Sequence, residues 1–147
     1  MGSTFVSVGE HGFWLRDSLL ELWLRLASLH IEDPRESGGV ATKIRDQWLL
    51  ASRGYFDGCV PVAIGENIAT AEGKRLVRDA IQSLQRSLKL APANISGDAL
   101  NLLGIEGRFG GDIETGRLIE VGQAFLDLVD GKITTTAKDN APMPGYR

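Results

Sequence analysis

Residues Phe13 to Ile31, FWLRDSLLELWLRLASLHI, constrain the chain more than any other stretch. At 100° per residue, Asp17, Ser18, Glu21, Arg25 and Ser28 fall on one polar stripe about a third of the circumference wide. Leu15, Leu19, Leu20, Leu22, Trp23, Leu26, Ala27, Leu29 and Ile31 cover most of the remainder. A helix apolar over so much of its surface is buried by neighbours on several sides or lies in a membrane. Arg16, Asp17, Glu21 and Arg25 interrupt it too often for a span, which needs about 20 nearly uncharged residues. The pattern therefore predicts the central helix of a water-soluble domain, with Trp23 and Leu26 among its most buried side chains.

The rest of the chain supplies the packing partners. Its 147 residues suit one domain with a core of its own. Val40 to Arg53 reads as a second helix, with Ala41, Ile44, Trp48 and Ala51 at steps of three and four and Gly54 as its stop. Thr70 is a good N-cap for a third, to about Leu90, with Val77, Ile81, Leu84 and Leu88 as its seam. Ser96 or Asp98 can cap a short helix, and Asp112 a last one ending at Gly131. Gly122 in that last helix marks close approach to another helix, with the first as the expected neighbour. Glu32 to Gly39, Tyr55 to Ala69 and Gly104 to Gly111 read as connections. Thr4 to Val8 suits a short strand that can pair with Ile133 to Thr136. The expectation is an all-α, single-domain bundle over 1–147: four long helices and one short one around a central N-terminal helix, with a minor strand pair from the termini.

Composition narrows function. A formal charge of −3 argues against a protein devoted to nucleic acid. One cysteine, Cys59, forms no internal disulfide, and no signal peptide begins the chain, so a cytoplasmic protein is expected. His11, His30 and Cys59 have no metal-ligand spacing, so neither a metal nor a cofactor is expected. His30 on the apolar side fits a hydrogen-bonded core histidine.

Several residues nevertheless carry chemistry. Cys59 beside Gly58 can serve a thiol enzyme if His11 or His30 approaches it, or can be a small apolar side chain. Glu120, Asp127 and Asp130 share the outer face of the last helix with Arg117, which fits acid–base work, a solvated face or a docking surface for a basic partner. Lys74, Arg75, Arg78, Arg86 and Lys89, with Gln82 and Gln85, make the third helix basic on its outer side. That face can meet phosphate, although no aromatics interleave it. The glycines before the last helix resemble an anion-binding turn, but Glu106, Asp112 and Glu114 put negative charge there. Arg16, on the apolar side, implies a core ion pair with Asp46 or an acid near the tail, or a ligand carboxylate.

GFWLRDS (Gly12 to Ser18) and IRDQWLLASRGYF (Ile44 to Phe56) resemble stretches of small helical bacterial immunity proteins from toxin–immunity systems, and size, acidity and helical plan agree over most of the chain. The resemblance implies a protein without catalytic activity that binds and neutralises a cognate toxin made in the same cell. It assigns no individual residue a role. Interface physics, which favours aromatic anchors with charged rims, points to Tyr55, Phe56, Asp57 and Glu66 after the second helix, and next to Glu120 and Asp127. The alternatives are a small enzyme using Cys59 or paired carboxylates, and a regulatory helical protein binding nucleic acid through residues 74–89.

Overall fold

The structure, a computed structural model, describes residues 2–32, 39–105 and 109–146. It corrects the all-α expectation. The chain opens as a β-hairpin, β1 (Ser3–Val8) and β2 (His11–Arg16), and only then enters α1 (Asp17–Ser28). There follow α2 (Val40–Ala51), α3 (Ile64–Asn67), α4 (Ala71–Leu90), β3 (Asn94–Ile95), α5 (Gly97–Leu100), β4 (Ile113–Glu114) and α6 (Thr115–Val129). The fold is mixed α/β, with two antiparallel two-stranded sheets beside the helices. No helix among the described residues is long and apolar enough to cross a membrane.

Residues Phe13 to Arg16 are strand because their alternation matches that of β1. Thr4 and Val6 face the core with Phe13 and Leu15, while Phe5 and Trp14 face outward and their rings meet at 5.3 Å. Gly9, at φ +61°, takes the first position of the two-residue turn, where the backbone twist suits flanking strands. Gly12 is required by proximity: a Cβ there would lie 2.7 Å from the Ser7 Cα. β1 therefore pairs with β2, and the tail joins the other edge of the hairpin. Gly12 N donates to Thr135 O at 2.9 Å, and Thr136 forms a bridge with His11.

The expected central helix is present and shorter at both ends, Asp17 to Ser28 instead of Phe13 to Ile31. Leu19, Leu20, Leu22, Trp23, Leu24 and Ala27 are buried, as are Asp17, Glu21 and Ser28 from the expected polar stripe. Asp17 and Glu21 are covered because the segment after α2 packs over them, whereas Ser18 stays exposed. Leu26 is half-buried and Leu29 largely exposed, since α1 ends before Leu29. Trp23 stacks on Phe125 of α6 at 4.0 Å and 3°, Phe13 of β2 meets Phe125 edge-on at 5.4 Å, and Trp48 of α2 lies 6.0 Å from Trp23. This cluster joins the hairpin and three helices in one core.

Helices α2, α4, α5 and α6 follow the sequence, whereas α3 lies within Tyr55–Ala69, which reads as a connection. Thr70 accepts from Gly73 N at 3.1 Å and Ser96 from Ala99 N at 3.4 Å, as N-caps should. Asp112 does not cap α6; it accepts from Gly97 N at 3.0 Å and ties α5 to the approach of α6. Gly122 faces α4 instead of α1, because a side chain there would collide with Gln85. Gln85 is accordingly buried, not on the outer basic face, and donates to Ile119 O at 2.9 Å. Most of the Glu32–Gly39 connection, and Glu106 with Gly107 and Arg108, lie outside the described residues.

Trp23→Ala should cost about 3–5 kcal/mol, from lost apolar burial and the cavity left beside Phe125. The indole N–H has no acceptor among the described residues, so Trp23→Phe should cost markedly less. Denaturant midpoints of the two variants check both.

Candidate functional site

The site grows from the first residue of α1. Arg16 leaves the strand with extended backbone, φ −63° and ψ 135°, which sets the Asp17 carboxylate in the first helical turn, where the helix dipole favours a negative charge. Asp17 is buried and fully engaged. Its Oδ1 accepts from Thr4 Oγ1 at 2.7 Å, and its Oδ2 accepts from Gly58 N at 2.6 Å. Thr4 Oγ1 in turn accepts from Val60 N at 3.0 Å. Two side chains thus fasten Gly58 and Val60 to the hairpin and to α1, and residues 55–59 form a knuckle anchored from beneath.

Two further carboxylates gather around this anchor. Glu21, one turn along α1, is buried, and its pKa is pushed up to about 7, first by desolvation and then by the negative charges of Asp17 and Asp57. Asp57 is exposed on the knuckle, next to Gly2. Such a group of acids favours the approach of positive charge. Arg25, the next turn of α1, does not neutralise it. Its guanidinium donates to Leu103 O at 2.8 Å, and its own pKa is lowered by burial and by the neighbouring Arg53.

The expected partner-binding residues divide. Tyr55 is 63% exposed and stands on the knuckle with Asp57, while Phe56 is half-buried and packs against the core. Glu66 is exposed on α3 and lines a groove with Phe5 and Ser7 of β1. Glu120 and Asp127 on α6 are engaged locally. Glu120 accepts from Gly145 N at 3.1 Å and Asp127 from Gln123 Nε2 at 3.0 Å. Arg117 Nε donates to Gly145 O at 2.6 Å, so the tail lies across this face. Asp130 pairs with Arg78 of α4, and Arg75 with Asp79, so part of the basic face is also internally compensated.

Cys59 is exposed in the knuckle. His11 bridges to Thr136, and His30 Nδ1 shares a 2.8 Å hydrogen bond with Ser83 Oγ, so each histidine belongs to a different contact. No group of three metal-ligating side chains occurs among the described residues. Arg16 is half-buried at the end of β2 and lies over the Tyr146 ring at 5.3 Å, a cation–π contact in place of the expected core ion pair.

Sequence reasoning missed the outer surface of the hairpin. Trp14, 36% exposed, donates its Nε1–H to Ala137 O at 3.1 Å, and beside it opens a groove of about 440 Å³ between Phe5, Ser7 and residues 136–138. The period-two alternation of residues 4–8 and 13–15 about Gly9 was the available signal, and helical periodicity from Leu15 onward obscured it. Compared with family models, curated proteins and solved structures, the chain has no significant match.

Two predictions follow from the Asp17 anchor. Asp17→Ala should cost about 2–3 kcal/mol, because it orphans Thr4 Oγ1 and Gly58 N, and hydrogen exchange at Gly58 should accelerate. For Glu21, the folded pKa of about 7 exceeds the ordinary 4.5. Between those values the folded chain holds a proton that the unfolded chain has lost, so this group makes stability fall as pH rises through that window. Glu21→Gln should therefore match wild type near pH 4 and exceed it by about 1–2 kcal/mol at pH 8, less than the full shift implies because the exposed loop relaxes around the charge. A gap that stays constant between those pH values in chemical denaturation refutes this assignment.

Proposed function

We propose that the chain is a non-catalytic immunity protein of the cytoplasm, which binds and neutralises a cognate toxin through the 55–59 knuckle and its acidic surroundings. The observation that carries the reading is the pairing of exposed Tyr55 with exposed Asp57 on backbone held from below by Asp17. A rigid aromatic anchor loses little entropy on binding, and adjacent carboxylates steer a basic surface toward it. Glu66 extends the negative charge toward the hairpin. The resemblance of Gly12–Ser18 and Ile44–Phe56 to immunity proteins supports the same reading from the sequence side. The acidic face of α6 is the weaker surface, since Glu120 bonds the tail.

Co-expression with the toxic domain encoded by the neighbouring gene should restore growth of the host. Asp57→Lys combined with Glu66→Lys should melt like wild type and weaken association by about 1–3 kcal/mol, mainly through the on-rate. Stopped-flow or surface-based kinetics on the purified pair measures this. Unchanged affinity in a normally melting protein would move the contact to Glu120 and Asp127.

A further inference from the structure

The hairpin leaves one line of backbone hydrogen-bonding groups unpaired. With a two-residue turn and Val8 opposite His11, the bonded pairs are Val8–His11, Val6–Phe13 and Thr4–Leu15. Ser7, Phe5 and Ser3 then point their N–H and C=O groups away from β2. The opposite edge follows the same rule, since Gly12 N reaches outward to Thr135 O, while Asp17 N continues the ladder inward to Gly2 O at 3.1 Å. The β2 edge is thus partly covered by the tail. On the β1 edge, neither Phe5 nor Ser7 makes a backbone bond to another described segment. Instead, a groove of about 290 Å³ separates these residues from Val60–Glu66.

We infer that the free edge of β1 is a docking site for an extended, basic segment of the partner, which adds a strand beside Phe5–Ser7. This deepens the binding function proposed above and rests on it. The accounting of hydrogen bonds supplies the first reason. An edge strand offers main-chain donors and acceptors at a fixed spacing, and an added strand satisfies them without requiring a particular side-chain sequence. Charge supplies the second. Asp57 lies beside Gly2 at one end of β1; Glu66, next to Gly65 near the Val8 Cα, lies at the other, with Glu10 in the turn. A strand with lysine or arginine at its ends meets acids at both, and Lys138 stands on the tail side of Phe5 and Ser7, where it lines the other groove. The same carboxylates disfavour a second copy of this chain on the edge, because edge-to-edge pairing brings like charges together.

The probe is an acetylated, amidated eight-residue peptide of alternating lysine and valine, titrated into the isotopically labelled full chain. Binding should perturb the amide signals of Phe5 and Ser7 and slow their exchange. The same peptide N-methylated on the residues that face β1 should bind at least tenfold more weakly, and so should the alternating glutamate–valine peptide. Ser7→Pro removes an outward N–H that the hairpin does not use and should likewise lose at least tenfold. The methylated peptide gives that test without altering the protein. Equal binding of the plain and methylated peptides, perturbation confined to other surfaces, no binding at millimolar peptide, or dimerisation through β1 overturns the inference. Cell protection separates it from its premise. Protection lost in Asp57→Lys but retained in a folded Ser7→Pro variant refutes the strand edge and keeps the binding reading. If wild type gives no protection, that reading fails, and the peptide titration alone then judges the edge.

Discussion

The buried carboxylate of Asp17 is the interaction on which the rest of the arrangement depends. It begins α1, accepts from a threonine of β1, and holds the backbone of the segment that follows α2. A buried charge is tolerated only when it is compensated, and here two hydrogen-bond donors and the field of the helix N-terminus compensate it. Because the three donors and acceptors come from chain positions far apart, one side chain fixes the hairpin, the central helix and the knuckle relative to each other. The aromatic stack of Trp23, Phe125 and Phe13 then fills the space behind it. Polar anchoring sets the geometry, and apolar packing supplies most of the stabilisation.

That anchoring explains why the surface beside it is suited to recognition. A loop held only by its ends loses conformational freedom when it binds, which subtracts from affinity. The knuckle has its backbone fixed at Gly58 and Val60, so Asp57, next to Gly58, is presented with part of that loss already incurred on folding. The raised pKa of Glu21 reflects the accompanying cost. Three carboxylates share one region, and Glu21 retains its proton up to about neutral pH. An approaching cation would reduce that repulsion, so the tension within the free protein and the proposed preference for a basic partner have a single electrostatic origin.

Much of the helical layout was legible in the sequence. Thr70 and Ser96 cap where their hydroxyls predict, and Trp48, Val77, Ile81, Leu118 and Phe125 lie in the core, as their spacing requires. These features depend on neighbours three or four residues away, and local sequence determines them. The candidate site was legible only in part. Tyr55 and Asp57 were visible as an aromatic next to an acid, but that Phe56 turns inward while Tyr55 turns outward depends on what packs beneath.

Tertiary structure alone decided the rest. Phe13 to Arg16 satisfy both a helical and an alternating pattern, since two aromatics, a leucine and an arginine fit either. The choice falls to β1, which offers a partner strand across a turn that Gly9 permits and Gly12 leaves room for. The polar stripe of α1 shows the same limit. Periodicity places Asp17 and Glu21 on one face, but it does not reveal that the chain after α2 returns to cover them. Local sequence fixes dihedral preferences and periodicity through short-range sterics. Whether a face meets water or another segment depends on contacts between residues distant in the chain, and those exist only once the whole domain has closed.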